Sequence, residues 1–414
     1  MRTIITNIGC LVNVRSSQQL LRGQDLRELP CIFNAWIIIE DGTIRAYGQM
    51  DEASFNNAAY DEIYDAGGAY VLPSWCDSHT HLVFAASRES EFVDKLKGKT
   101  YAEIAASGGG ILNSARKLQA STEEELYELA SGRLNEIIKL GTGAVEIKSG
   151  YGLTVESELK MLRVIQSLKA NGPIPVKSTF LGAHAFPAEF KENKDAYIKL
   201  IIDEMLPEIG KQQLADYIDV FCEEGFFSID QSKRILEAGI KHGLKPKLHA
   251  NQLSASGAVE LGTSLGALSV DNLEIMNDSA IEALSNSRTI GTLLPTAAFF
   301  LRMPFQPARQ LIDANIAVAL ASDFNPGSSP SGNMNLVVAM SCIQMKMLPE
   351  EAINAATLNG AYAMELEEEV GSITIGKRAN LIFTQRIPSL AYLPYSFGSN
   401  LIDKIMINGK WYNS

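Results

Sequence analysis

Between residues 70 and 321, short runs of β-branched and apolar residues alternate with stretches of helical periodicity, and nothing else in the chain limits its fold as strongly. The runs are Tyr70 to Leu72, Ala144 to Lys148, Val176 to Leu181, Ile218 to Cys222, Lys245 to His249, Ala267 to Val270, Thr289 to Leu294 and Ala317 to Ala321. Glu123 to Leu140, Val155 to Ala170, Asp230 to Gly239 and Ser279 to Ser285 supply helices between them, and Ser121 or Thr122 before the acidic EEE reads as a helix start. Strands joined through helices lie parallel, and eight such units predict an α/β fold, a (β/α)8 barrel with its catalytic groups at the C-terminal ends of the strands.

The ends of the chain read differently. Thr3 to Val14 and Trp36 to Tyr47 at the front, and Asn380 to Thr384 and Lys404 to Tyr412 at the back, are β-prone, with turn glycines in IIIEDGTIRAYG and IDKIMINGKWY. Neither end alone could cover a sheet face, so the expectation is a small β-sandwich built from both, residues 1–68 with 370–414, around a barrel of residues 69–369. A balance of 36 basic against 48 acidic residues, net −12, argues against nucleic acid as a partner. The sequence contains no run of eighteen apolar residues and no apolar leader, which disfavours a membrane partner or export. Five scattered cysteines without a CxxC pair indicate neither disulfides nor a zinc knuckle and suit a reducing cytoplasm.

Chemistry concentrates at the strand ends. In Asp77-Ser78-His79-Thr80-His81, alternation along a strand turns His79 and His81 the same way. An HxH pair by itself also describes two unrelated polar residues on one strand face. Context separates the readings, because His249 closes the fifth run and Asp323 follows the eighth, which puts four ligand candidates on one barrel rim. Lys148, at the end of the second run, is either an ordinary buried or paired lysine or a carboxylated bridge between two metals, and a single-metal site needs no bridge. Gly108 to Gly110 lack the GK[ST] ending of a phosphate loop, and His242 reads as an ordinary structural histidine.

This constellation resembles the amidohydrolase superfamily, and FAASRESEF, SGGGI, VEIKSGYGL, STFLGAHAFP and SDFNPGSSPS narrow the resemblance to the imidazolonepropionase family. The resemblance implies one Zn²⁺ or Fe ion per chain held by His79, His81, His249 and Asp323, with Asp323 also taking a proton from the attacking water. It implies hydrolysis of a small molecule, 4-imidazolone-5-propanoate, to N-formimino-L-glutamate in histidine catabolism by a homodimer. Arg88 would bind the propanoate; Tyr151, His184, Asn325, Gly327 and Ser328 would also meet the substrate. Taken singly, Arg88 reads better as a surface partner of Glu89 or Glu91 and Tyr151 as a surface ring, and only their shared rim position promotes them; His184 reads also as a structural hydrogen-bonding histidine.

Two positions depart from the family pattern. Where HADE is usual, this chain reads His249-Ala250-Asn251-Gln252, and where DHLE is usual it reads Asp271-Asn272-Leu273-Glu274. Gln252 can hold a ring through one donor and one acceptor but is no carboxylate base. Asn272 can donate a hydrogen bond but cannot shuttle a proton, a loss that typically costs about 10²–10⁴-fold in rate. Gln252, Asn272 and Asp323 are the catalytic candidates. Three outcomes stay open: a slow hydrolase of this substrate, an amidohydrolase acting on another cyclic amide, and a metal-binding homologue with little turnover. A deaminase would want both the missing acid and the missing histidine.

Overall fold

A computed structural model describes residues 1–52, 59–99 and 109–412. Its centre is a parallel sheet of eight strands in sequential order: β6 (Trp75–Thr80), β7 (Thr142–Lys148), β8 (Val176–Ala183), β9 (Tyr217–Cys222), β10 (Lys245–Ala250), β11 (Ser269–Asn272), β12 (Ile290–Leu293) and β13 (Val318–Leu320). Asp323 N–H donates to the His79 carbonyl at 3.0 Å and His81 N–H to the Phe324 carbonyl at 2.9 Å, joining the last strand to the first. Helices cover the outside, so both faces are screened from water and almost every strand residue is buried. The helix Glu123–Lys139 starts at Thr122, whose hydroxyl accepts from Glu125 N–H while the Glu125 side chain accepts from Thr122 N–H. Val155–Asn171, Ile229–Lys241 and Asp278–Ser285 form the other expected helices.

The terminal strands make a second sheet from β1 (Arg2–Val12), β2 (Cys31–Glu40), β3 (Thr43–Gln49), β4 (Glu62–Asp65), β5 (Tyr70–Pro73), β14 (Leu381–Thr384), β15 (Ile402–Ile407) and β16 (Lys410–Tyr412). Its order is β16-β15-β14-β5-β1-β2-β3, with β4 beside the first half of β1. The sheet curls over a core of Ile5, Ile8, Ile37, Val71, Leu381 and Phe383, and brings Trp411 within 4.6 Å of the Tyr64 ring.

One strand expectation is corrected here. Tyr70 to Leu72 does not open the barrel; it pairs with β1 and β14 in the terminal sheet. Ser74 alone separates it from β6, and its N–H donates to Asn380 at 2.9 Å. Pro73 has no amide hydrogen with which to continue a ladder, so one apolar run serves two sheets.

Candidate active site

His79 and His81 leave the end of β6 and its following residue, and His249 leaves the end of β10. One ring nitrogen from each lies within 4.8 Å of the others. Asp323 Oδ1 stands 3.5 Å from His79 Nε2 and 3.6 Å from His81 Nε2. All four side chains are buried, and among the described residues His79 Nε2 and His81 Nδ1 have no hydrogen-bond partner. Burial pushes His79 down to about 3, with Lys148 adding to the effect, and burial holds His81 well below the usual imidazole range. Burial raises Asp323 to about 6.

The rings are oriented from behind. Asp271 Oδ2 lies 2.6 Å from His79 Nδ1, and Asp219 Oδ2 lies 3.0 Å from His249 Nδ1. A carboxylate accepts only, so each Nδ1 carries the proton and each Nε2 keeps its lone pair. Three imidazoles and a carboxylate around unpartnered buried nitrogens fit a zinc or iron(II) ion. Asp77 fixes the fourth group's loop, accepting from Ser322 N–H at 3.0 Å and from its hydroxyl at 2.5 Å; burial raises this carboxyl to about 7.

The cluster opens into a cavity of about 500 Å³ lined in part by Arg88, Lys95, Tyr151, His184, Phe221, Gln252, Asn272, Asn325, Gly327 and Ser328. Arg88 makes no ion pair with Glu89 or Glu91. Its Nε donates to Ser114 Oγ at 2.8 Å, while its buried Nη2 has no partner among the described residues. Gly327 permits this placement, because a Cβ there would stand 2.5 Å from Arg88 Nη1. Tyr151 is buried rather than a surface ring, on a loop shaped by Glu158, which accepts from Gly150, Gly152 and Leu153 N–H at 3.1, 2.7 and 2.9 Å. His184 Nδ1 donates to the Gly150 carbonyl at 3.0 Å and its ring stacks on His81 at 5.2 Å. That bond leaves Nε2 as an acceptor, and burial holds this imidazole near 3, largely neutral.

The Amidohydrolase family pattern spans residues 70–412. Imidazolonepropionases of Christiangramia forsetii and Flavobacterium johnsoniae are 56% and 57% identical over 99% of this chain and 100% of theirs. That of Clostridium tetani is 43% identical over 94% of this chain and 92% of its own. The chain belongs to the imidazolonepropionase family. It is therefore a hydrolase of carbon–nitrogen bonds that acts on a small molecule, and the family and the histidine cluster together indicate a metal site. The fold is also that of a zinc-bound Xanthomonas campestris adenosine deaminase (TM-score 0.70, 16% identity, 99% of this chain and 92% of that one). An E. coli guanine deaminase shares it as well (TM-score 0.71, 12% identity, 100% and 99%).

Gln252 and Asn272 both line the cavity. Asn272 ends β11 at φ +84°, is 1% exposed and leaves Oδ1 unpartnered; Gln252 is half-buried. Asn325 uses its amide to hold the loop, accepting from Gly327 and Ser328 N–H at 2.7 and 2.8 Å and donating to the Asp323 carbonyl and Ser328 Oγ, both at 2.6 Å. Ser328 Oγ in turn donates to Asp323 Oδ2 at 2.9 Å. His242 is exposed at the end of a helix, away from this cavity. Gly108 lies outside the described residues.

Sequence reasoning missed Glu146, Asp219, Lys247 and Asp271, all buried beneath the histidines. The available signal was charge inside the strands, Glu146 and Lys148 in VEIK, Asp219 in IDV, Lys247 in KLH and Asp271 in SVD, which points a row of ionisable groups into the barrel. Lys95 at the cavity wall was also missed; two helical turns after Arg88, it shares that residue's face.

Proposed function

We propose that the chain opens the ring amide of 4-imidazolone-5-propanoate to give N-formimino-L-glutamate, a step of histidine catabolism. One observation carries the reading to this substrate: the cavity that holds the histidine and aspartate cluster also holds Arg88, whose buried Nη2 has no partner among the described residues. A guanidinium so placed suits the propanoate carboxylate. Tyr151 and the acceptor Nε2 of His184 meet the ring, and Gln252 holds it through one donor and one acceptor. Gly327 and Ser328 border the carboxylate end beside Arg88.

His79, His81, His249 and Asp323 would hold one zinc or iron ion, which when bound supplies Lewis acidity toward both water and the ring carbonyl. Asp323, raised to about 6, takes the proton of the attacking water and returns it to the departing ring nitrogen. Asn272 offers that reaction a neutral amide where the family pattern has an imidazole. The result is slow turnover rather than none, since Arg88 and the loop residues are kept. The chain works in the cytoplasm as a homodimer; support comes from its five free cysteines, which suit a reducing compartment, and from exposed Phe92, Val93, Leu96 and Phe299, which a second copy would cover. The proposed division is a barrel unit of residues 69–369 with residues 1–68 and 370–414 as the composite unit, β5 being the strand of the barrel segment that joins the terminal sheet.

The test is incubation of the metal-loaded protein with 4-imidazolone-5-propanoate, and separately with other cyclic amides, with mass analysis of products. Formiminoglutamate is the expected product. Opening of another cyclic amide alone would mean a shifted substrate, and tight binding without product a non-catalytic homologue.

A further inference from the structure

Lys148 lies at the end of β7, wholly buried, in a barrel interior that is ordinarily filled by branched apolar side chains. Its Nζ stands 2.7 Å from Glu146 Oε1, 2.9 Å from Asp219 Oδ2 and 3.4 Å from Asp271 Oδ2. The last two oxygens are the same atoms that accept the Nδ1 protons of His249 and His79. One ammonium thus touches both carboxylates that aim the two imidazoles. Glu146 is held in place by Thr179 Oγ1 at 2.6 Å and by Lys247, which also donates to the Ala363 carbonyl at 3.0 Å.

The same geometry rules on the bridging-carbamate idea. A carboxylated Lys148 would set a new anion against three carboxylates, whereas a free ammonium is attracted to all of them. Lys148 and Lys247 against Glu146, Asp219 and Asp271 leave one negative charge in excess beneath the histidines, which a cation bound above them offsets. Such a cluster is costly to bury and weak support for stability alone, so a role in orientation fits it better than a role in folding.

We infer that Lys148 is a positioning residue for the metal ion: by bridging Asp219 and Asp271 it locks His249 and His79 with their Nε2 lone pairs turned toward one point. The inference rests on the metal-site reading above. Groups that orient metal-binding histidines typically contribute about 10–100-fold in metal affinity, and that is the loss expected on removing the bridge.

The experiment compares zinc affinity, by competition with a chromophoric chelator, and the visible spectrum of the cobalt(II)-loaded protein. The variants are Lys148→Gln and the double variant Lys148→Met with Glu146→Gln, which removes one charge of each sign and keeps the net charge. The double variant, shown to be folded by circular dichroism, is expected to bind zinc about 10–100-fold more weakly, and both variants to show an altered cobalt spectrum. A structural role would lower thermal stability without moving either readout. Zinc affinity and a cobalt spectrum equal to wild type in a folded variant would overturn the inference while leaving the metal site standing. Failure of the wild type to bind zinc or cobalt would overturn the site reading, and this inference with it.

Discussion

Replacing Asn272 with histidine should raise turnover. The side chain is 1% exposed, lines the cavity beside His249 and Asp323, and leaves its carboxamide oxygen without a partner, so an imidazole placed there faces the reacting groups. Its backbone sits at φ +84°, a region that asparagine, aspartate and histidine tolerate better than most residues. General acid–base help is worth about 10²–10⁴-fold. The larger ring takes the place of a side chain that is 1% exposed, where overpacking costs about 1–3 kcal/mol, and misplacement of the ring would erode the gain. The lower end, about 10²-fold in kcat, is therefore expected. The assay is the ultraviolet absorbance of 4-imidazolone-5-propanoate with wild-type and Asn272→His protein, each folded and with metal content measured, across pH. A new ionisation in the pH profile should accompany the gain. Unchanged kcat and an unchanged profile in the folded, metal-loaded variant would refute the role given to this position.

Arg88→Met should raise KM far more than it lowers kcat, by about 10–100-fold, because charge-assisted hydrogen bonds are worth about 1.5–3 kcal/mol each; steady-state kinetics checks this, and Arg88→Lys should restore little. Zinc affinity of the metal-free protein should rise as pH increases through about 6 and then level, since protons compete for Asp323 below that value while His79, near 3, stays neutral; Asp323→Asn should weaken binding and flatten that rise, as read by chelator competition. Thr122→Ala should cost about 1 kcal/mol in urea unfolding by removing the cap of Glu123–Lys139, with no effect on KM.

Much of the barrel was legible because parallel strands buried on both faces leave short, nearly continuous apolar runs, such as Thr289 to Leu294 and Ala317 to Ala321. Tyr70 to Leu72 went to the wrong sheet because composition records no change of partner across Ser74; only the long-range pairing with β1 and β14 decides it. The helix Met334–Met345 offered no amphipathic stripe, being apolar almost all round. The rim residues could be read from strand ends, where His249 closes the fifth run, Asp323 follows the eighth, and His79 and His81 take alternate positions after the first. The carboxylates behind them could not, since Asp219 and Asp271 gain meaning only when neighbouring strands bring them against His249 and His79. Asn325 shows the same limit: its type suggests a substrate contact, while its hydrogen bonds commit the amide to the loop.

The most direct test of the whole account is turnover of freshly prepared 4-imidazolone-5-propanoate by the wild-type protein, with and without its metal, set against spontaneous decay of the compound. The account predicts loss of absorbance above background that yields formiminoglutamate and stops when the metal is chelated. No loss above background from a folded chain carrying one metal ion would contradict it.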